Sequence, residues 1–198
     1  MVPTCLAALA AAACAVAGSI YLSHSPGGAS DVPAVGPAVL AEPRVLVEKS
    51  RHLLTLYDGN RVVKSWPVAV GAGKGDKRVE GDRCTPEGDL FICYKNPKSK
   101  YVLSLGLSYP REEDAARGLR EGKITPRQHD AIVAAVRQRC FDANTWEELW
   151  KTPLGGEIMI HGCREGRDST HGCVAMDDDA IRELYRILPL GAPVRIVP

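Results

Sequence analysis

Two histidines and two cysteines stand close together in a glycine-containing segment near the C-terminus. The triplet His-Gly-Cys occurs at residues 161–163 and again at residues 171–173. A free cysteine titrates near ~8.5 and is mostly protonated at pH 7, so a cysteine nucleophile needs a nearby base or positive charge. Glycine beside the thiol leaves backbone amides open to a developing oxyanion. This pattern indicates covalent thiol chemistry with histidine as proton acceptor.

Cys173 and His161 form the predicted working pair. Residues 157–161 predict a strand that carries His161 at its end, and Gly172 opens a second strand. Neighbouring strand ends can bring imidazole and thiol within hydrogen-bond reach, so that His161 takes the Cys173 proton and later protonates the leaving amine. The amides of Gly172 and Cys173 are the predicted oxyanion donors. His171 lies two residues before Cys173 on one strand, which is a poor angle for proton transfer.

Length, composition and charge predict one globular domain with accessory N-terminal segments. The chain has 198 residues, 45% hydrophobic side chains and a formal net charge of +1. This length suits one buried core. Because the charge is nearly balanced and no basic stripe occurs, the electrostatic pattern of a nucleic-acid-binding protein is missing, and a nucleic-acid partner is not expected.

The N-terminus predicts an export signal followed by a linker. Residues 1–22 contain no charged side chain, and Ala15-Val16-Ala17 suits signal peptidase. Residues 23–43 are rich in Pro, Gly and Ala, a composition typical of linkers. Because no Lys or Arg precedes the apolar run, an uncleaved membrane anchor is an open alternative. Both interpretations predict an exported protein of the bacterial periplasm or cell envelope.

Removal of the leader would leave an odd number of cysteines in an oxidising compartment, where at least one thiol must stay free. With Cys173 as the working thiol, the remaining four are Cys84, Cys93, Cys140 and Cys163. We expect Cys140 to pair with Cys163, because both would lie near the C-terminal motif. The alternative is that several of these cysteines are buried as small hydrophobic side chains.

Strands and helices are predicted from apolar periodicity and capping signals. Strands are expected over residues 44–49, 52–57, 61–66, 67–70 and 89–94, mostly antiparallel, with a hairpin at residues 58–60 and a polar loop over 71–83. A helical insert is expected over about 108–150, with one helix over 126–139 capped by Thr125 and Gln128. A second helix follows Asp178, and residues 192–197 predict a closing strand. The predicted fold class is mainly β with a helical insert (α+β).

His161 followed by the block Ser-Thr-His-Gly-Cys at residues 169–173 resembles the signature of the L,D-transpeptidase catalytic domain of the YkuD type. The segment 67–71, the Thr-Pro-Glu-Gly turn at 85–88 and the last strand at 191–196 are also similar to that family. The resemblance therefore covers the predicted domain, residues 44–198, and identifies a branch with a compact motif and a helical insert. It implies a β-sandwich with a helix in its C-terminal half.

The resemblance also implies catalytic and supporting roles for particular residues. Cys173 would be the acyl-forming nucleophile and His161 the base, with supporting residues Gly162, whose carbonyl orients the imidazole, and Thr170, His171 and Gly172. The implied substrate is a peptidoglycan stem tetrapeptide, attacked at the amide after its diaminoacid with release of D-alanine and acyl transfer to an amine of a stem peptide or protein. No metal or cofactor is implied, and we expect a monomer. The insert and Tyr109 are candidates for lining the cleft.

The sequence leaves three alternative functions open. Water as the acceptor would make the protein an L,D-carboxypeptidase or endopeptidase. The two His-x-Cys pairs, at residues 161–163 and 171–173, could instead bind zinc, which favours imidazole and thiolate ligands. A disulfide at Cys173 would leave a non-catalytic cell-wall-binding protein.

Overall fold

A computed structural model describes residues 40–164, 166 and 168–198. The predicted leader and nearly all of the predicted linker lie outside these residues. The strands of the described part are β1 Pro43–Glu48, β2 Leu53–Asp58, β3 Arg61–Pro67, β4 Val70–Gly71, β5 Gly88–Asn96, β6 Ser104–Leu107, β7 Met159–His161, β8 Ser169–Thr170, β9 Val174–Ala175 and β10 Pro193–Val197. Its α-helices are α1 Glu112–Arg120, α2 Pro126–Arg137, α3 Ala143–Trp150 and α4 Asp178–Ile187. Over the same residues, no helix is long and apolar enough to cross a bilayer.

The strands form one curled eight-stranded sheet in the order β3-β2-β1-β10-β5-β6-β7-β9, and β4 pairs separately with β8. This confirms the predicted fold class, mainly β with a helical insert and a helix in the C-terminal half. The prediction of an antiparallel N-terminal half is only partly right. β10 returns from the end of the chain and lies between β1 and β5, parallel to β1.

Strand β5 lies in the middle of the fold and is covered on both faces. Leu90 and Ile92 belong to the main core between the sheet and α4, whereas Phe91 and Cys93 belong to a second core under the insert. Successive side chains of a strand point to opposite faces, so an almost continuously apolar strand must be buried on both sides. The helical insert is therefore packed against the sheet, and β5 supplies side chains to the core beneath it.

The helical insert consists of α1, α2 and α3, and the sequence predicted only the middle helix. Thr125 caps α2 as expected: its hydroxyl accepts the Gln128 amide at 3.2 Å, and the Gln128 side chain accepts the Thr125 amide at 2.9 Å. The helix ends at Arg137, two residues earlier than predicted, because Arg139 has a left-handed φ of 48°. Helices α1 and α3 are short, so their apolar periodicity is weak.

All five cysteines of the described part are free thiols, so the predicted Cys140–Cys163 disulfide is wrong. Cys140 follows α2 and packs against the insert core with Cys93. Cys163 follows β7, and its amide donates to Asp178 at the start of α4, 2.8 Å away. Cys140 therefore lies at the insert core, whereas Cys163 lies beside the start of α4. The sequence positions of the two cysteines did not indicate this separation.

A buried ionic cluster joins the insert to the loop before β5. The Asp114 side chain is fully buried and accepts from Arg111 at 2.9 Å and from Arg117 at 2.6 Å. Arg111 also contacts Asp76 in the loop between β4 and β5, at 3.3 Å. A buried carboxylate needs such partners, since leaving either charge unpaired away from water is costly.

We therefore expect Asp114→Ala to lower the free energy of unfolding by about 3–5 kcal/mol, because two partly buried guanidinium groups lose their shared partner. The matched control is Glu183→Gln, which breaks an exposed ion pair with Lys64 of 2.6 Å and should cost less than about 1 kcal/mol. Urea unfolding of both variants measures the difference. Equal losses would show that the buried cluster contributes no more than a surface pair.

Candidate active site

Cys173 and His161 line the same pocket, which has a volume of about 440 Å³. Its far wall is formed by the insert helix α3, which supplies Glu147, Trp150 and Lys151. The same thiol and imidazole also line a smaller pocket of about 240 Å³, whose other wall contains Ser169, Thr170 and His171. His161 and Cys173 are therefore shared by the walls of both pockets.

Parallel pairing of β7 with β9 brings the two side chains to one face. In this ladder Ile160 is opposite Val174 and His161 is opposite Ala175. Because side chains alternate along a strand, Cys173, two residues before Ala175, is on the same face as Ala175 and His161. Ile160 and Val174 point the other way and are completely buried in the main core. Their burial sets the register.

The imidazole of His161 is held by the next peptide group. Its Nδ1 lies 2.6 Å from the carbonyl oxygen of Gly162, and only 5% of the residue is exposed. A carbonyl oxygen can only accept, so Nδ1 carries the proton. In the neutral imidazole the lone pair is then on Nε2, the form of histidine that a general base requires.

The thiol of Cys173 is a protonated group in this arrangement. Its Sγ donates to the carbonyl oxygen of Glu157 at 3.4 Å. Burial raises the pKa of the Cys173 thiol; the Met159 amide and the charge of Lys77 act to lower the pKa, and the Glu157 carboxylate acts to raise it. A raised pKa favours the neutral thiol at pH 7. Attack by the neutral thiol then requires a base that removes its proton.

Thr170 shapes the turn that presents the thiol. Its hydroxyl donates to the Cys173 carbonyl at 2.6 Å and accepts the Gly172 amide at 3.0 Å. The Gly172 amide is thus already used, and its predicted role as an oxyanion donor is not supported by this geometry. In the described part of the chain the Cys173 amide donates to no other group. The backbone amide of Cys173 is therefore the remaining candidate for an oxyanion donor.

Backbone contacts fix this turn from the other side. Strand β8 pairs with β4, placing Thr170 opposite Gly71, and β9 is held by two bonds of 2.8 Å between Ala69 and Ala175. Gly172 has a φ of 131°, and a Cβ there would lie 2.9 Å from the Cys84 carbonyl. A side chain would therefore meet both backbone strain and a backbone oxygen. Glycine is required so that the turn can lie against the loop.

The residues of the two His-Gly-Cys triplets differ in which pockets they line. His171 is exposed and lines only the smaller pocket, and Cys163 lines neither pocket. Tyr109, a candidate for the cleft, is instead fully buried and donates to the Leu154 carbonyl at 3.2 Å. Over residues 40–164, 166 and 168–198, no three His, Cys, Asp or Glu side chains are placed to hold a metal ion. The zinc alternative thus finds no support in the geometry.

Several residues that line the larger pocket belong to no sequence motif and were not predicted from the sequence as site residues. They come from the loop after β5, from the end of α3, and from β7 and the residues before it, and they are Lys100, Tyr101, Glu147, Trp150, Lys151, Glu157 and Met159. No motif marked Tyr101, which comes shortly before the predicted helical insert of about 108–150. Contacts between segments this far apart in the chain depend on the tertiary fold.

Comparison with protein families matches residues 42–196 to the L,D-transpeptidase catalytic domain, YkuD. Among solved structures, the helical cell shape determining protein Pgp2 from Campylobacter jejuni has a TM-score of 0.54 and 24% identity, covering 78% of this chain and 47% of Pgp2. Bd1075 from Bdellovibrio bacteriovorus has a TM-score of 0.50 and 21% identity, covering 80% and 48%. These likenesses show the fold, and the chain spans about half the length of either structure. No curated protein sequence matches it.

The buried thiol leads to a pH prediction. In His161→Ala, the reaction of Cys173 with iodoacetamide should shift to higher pH than in the wild type, because burial raises the thiol pKa and no imidazole takes the proton. With His161 present, reaction should extend to neutral pH. Alkylation followed by mass spectrometry of the Cys173 peptide measures both profiles.

The control is His129→Ala, which removes an imidazole from α2 and should keep the wild-type profile. If His161→Ala also kept that profile, the imidazole would have no influence on the thiol.

Proposed function

Because the chain belongs to the L,D-transpeptidase catalytic-domain family, whose family model matches residues 42–196, we propose that it is a cell-wall enzyme that forms an acyl-enzyme on Cys173. One observation carries the proposal: a protonated thiol and an imidazole with its proton fixed on Nδ1 line one pocket. Nucleophile, base and an orienting acceptor for the base are the parts that nucleophilic catalysis needs.

The first half-reaction follows from this arrangement. Nε2 of His161 accepts the thiol proton while Sγ attacks the carbonyl carbon of the donor amide, and the C=O electron pair becomes an oxyanion. The Cys173 amide supports that oxyanion. When the intermediate collapses, the C–N bond breaks and the imidazolium gives its proton to the leaving amine. The products are a thioester on Cys173 and a free amino acid, which for a stem tetrapeptide is D-alanine.

The second half-reaction reverses these steps with a new nucleophile. An acceptor amine loses a proton to His161 as its nitrogen attacks the thioester, and the thiolate leaves and is reprotonated. A stem-peptide amine gives a cross-link, and a protein amine gives attachment to the wall. Water as the acceptor gives the trimmed stem, which is L,D-carboxypeptidase or endopeptidase activity. The pocket of about 240 Å³ beside the pair offers room for a small acceptor.

The charges of the larger pocket support a zwitterionic peptide as donor. Its walls contain two lysines, Lys100 and Lys151, and two glutamates, Glu147 and Glu157. A diaminoacid side chain in a stem peptide carries an ammonium group, and in its dicarboxylic form also a carboxylate, so groups of both signs are needed to bind it. We propose stem tetrapeptides as the substrate class on this basis, and with them the cell envelope as the site of action.

The main test is incubation with purified stem tetrapeptide and mass spectrometry of the products. We expect release of D-alanine by the wild type, none by Cys173→Ala, and a loss of about 100- to 10,000-fold in rate for His161→Ala, the usual range for a general base. Cys140→Ala is the matched control, since this half-buried cysteine belongs to the insert core and should leave the rate unchanged. Persistent activity in Cys173→Ala would overturn the proposal.

The acceptor is tested in the same assay by adding an amine. With a second stem peptide or a free D-amino acid present, we expect a new amide product whose yield rises with amine concentration, because amine and water compete for one thioester. Cys173→Ala should form none. If the tripeptide acid is the sole product at every amine concentration, the protein is an L,D-carboxypeptidase.

A further inference from the structure

The ring of Tyr101 lies flat against the imidazole of His161. The two ring centroids are 4.4 Å apart and the planes differ by 24°. Tyr101 lines both pockets, together with His161 and Cys173. It is therefore an aromatic wall that the candidate base and both pockets share.

A second contact joins the same residue to the orienting peptide of His161. The Tyr101 carbonyl accepts the Gly162 amide at 3.1 Å, and the Gly162 carbonyl in turn holds Nδ1 of His161 at 2.6 Å. A Cβ on Gly162 would lie 2.7 Å from the Tyr101 carbonyl. One residue thus contacts the face of the imidazole and the peptide group that fixes its proton.

The loop that carries Tyr101 is constrained on both sides of it. The Tyr101 amide donates to the Ser99 hydroxyl at 3.1 Å, and the Leu103 amide donates to the Tyr101 carbonyl at 2.9 Å. Between them, Val102 has a φ of 72°, a left-handed conformation that is rare for a β-branched residue. Such strain persists only where the surrounding contacts hold it, and it occurs most often at functional sites.

We propose that Tyr101 is a positioning residue that acts through His161. The inference rests on the proposed function in one respect, the role of His161 as base for Cys173. The stacked ring holds the imidazole in the plane that keeps Nδ1 on the Gly162 carbonyl, beside the pockets that His161 and Cys173 share. Its π-face also favours a cation, so the imidazolium formed with the Cys173 thiolate is stabilised relative to the neutral pair.

Other charged or titratable groups surround the pair. They come from the loop before β5, from β5 and the loop after it, from α3 and the residue after it, from the residues before β7 and β9, and from the start of α4. They are Lys77, Tyr94, Lys100, Glu147, Lys151, Glu157, His171 and Asp178. Lys100 lies 5.1 Å from the Tyr101 ring centroid. These groups are the same in every variant below, so differences between the variants report on the ring at position 101.

The test is a double-mutant cycle on the alkylation of Cys173 by iodoacetamide at pH 7. Tyr101→Leu should lower the rate about three- to ten-fold, because it removes the aromatic face while keeping the backbone bond to Gly162. Tyr101→Phe should stay within about two-fold of wild type, since the ring is retained. In a His161→Ala background, Tyr101→Leu should have no further effect, because two residues that act as one unit are not additive.

Tyr185→Leu is the matched control, since this half-buried tyrosine also has a lysine over its ring, Lys95 at 4.3 Å, but lines neither pocket. Its alkylation rate should equal the wild-type rate. Thermal unfolding shows which variants fold, and Tyr101→Met is a second non-aromatic variant if Tyr101→Leu does not.

Two results would overturn the proposal: an equal loss from Tyr101→Leu with and without His161, or a loss from Tyr101→Phe as large as that from Tyr101→Leu. Failure of the proposed function has a different signature. It would appear as stem-peptide activity that survives Cys173→Ala, or as an alkylation rate that does not change in His161→Ala.

Discussion

The parallel ladder between β7 and β9 is the constraint on which the candidate site depends. It sets His161 opposite Ala175 and so puts the imidazole on the same face as Cys173. A shift of one residue would turn the thiol into the core and bring Val174 to the pocket. Burial of Ile160 and Val174 opposes that shift, and the bonds between Ala69 and Ala175 hold β9 from its other side. The site is therefore a consequence of core packing.

Hydrogen bonds and desolvation then influence where the protons of Cys173 and His161 lie. The half-buried thiol donates to the Glu157 carbonyl, and desolvation raises its pKa. The imidazole is fixed with its proton on Nδ1 by the Gly162 carbonyl. The Glu157 carbonyl accepts from the thiol and the Gly162 carbonyl orients the imidazole, an arrangement that suits general-base removal of the proton at the moment of attack.

The helical insert adds the part of the pocket that the sheet cannot supply. Helix α3 places Trp150 in the second core, against the face of β5 that carries Phe91, and thereby brings Glu147 and Lys151 to the wall opposite the thiol. The ionic cluster around Asp114 joins α1 to the loop that continues from β4. The reacting groups thus come from the sheet, while the opposite wall, which would face the rest of a substrate, comes from the insert.

The sequence by itself determined the local features: the strands around Leu54 and Leu56, the cap of α2 at Thr125, and the motif that marks Cys173 and His161. Periodicity, capping and short motifs depend on residues a few positions apart, so they can be found without the fold. Only the tertiary structure decided the parallel insertion of β10, the free thiols and the contact between Tyr101 and His161. Each of these depends on residues far apart in sequence, whose proximity is set by how the two cores pack.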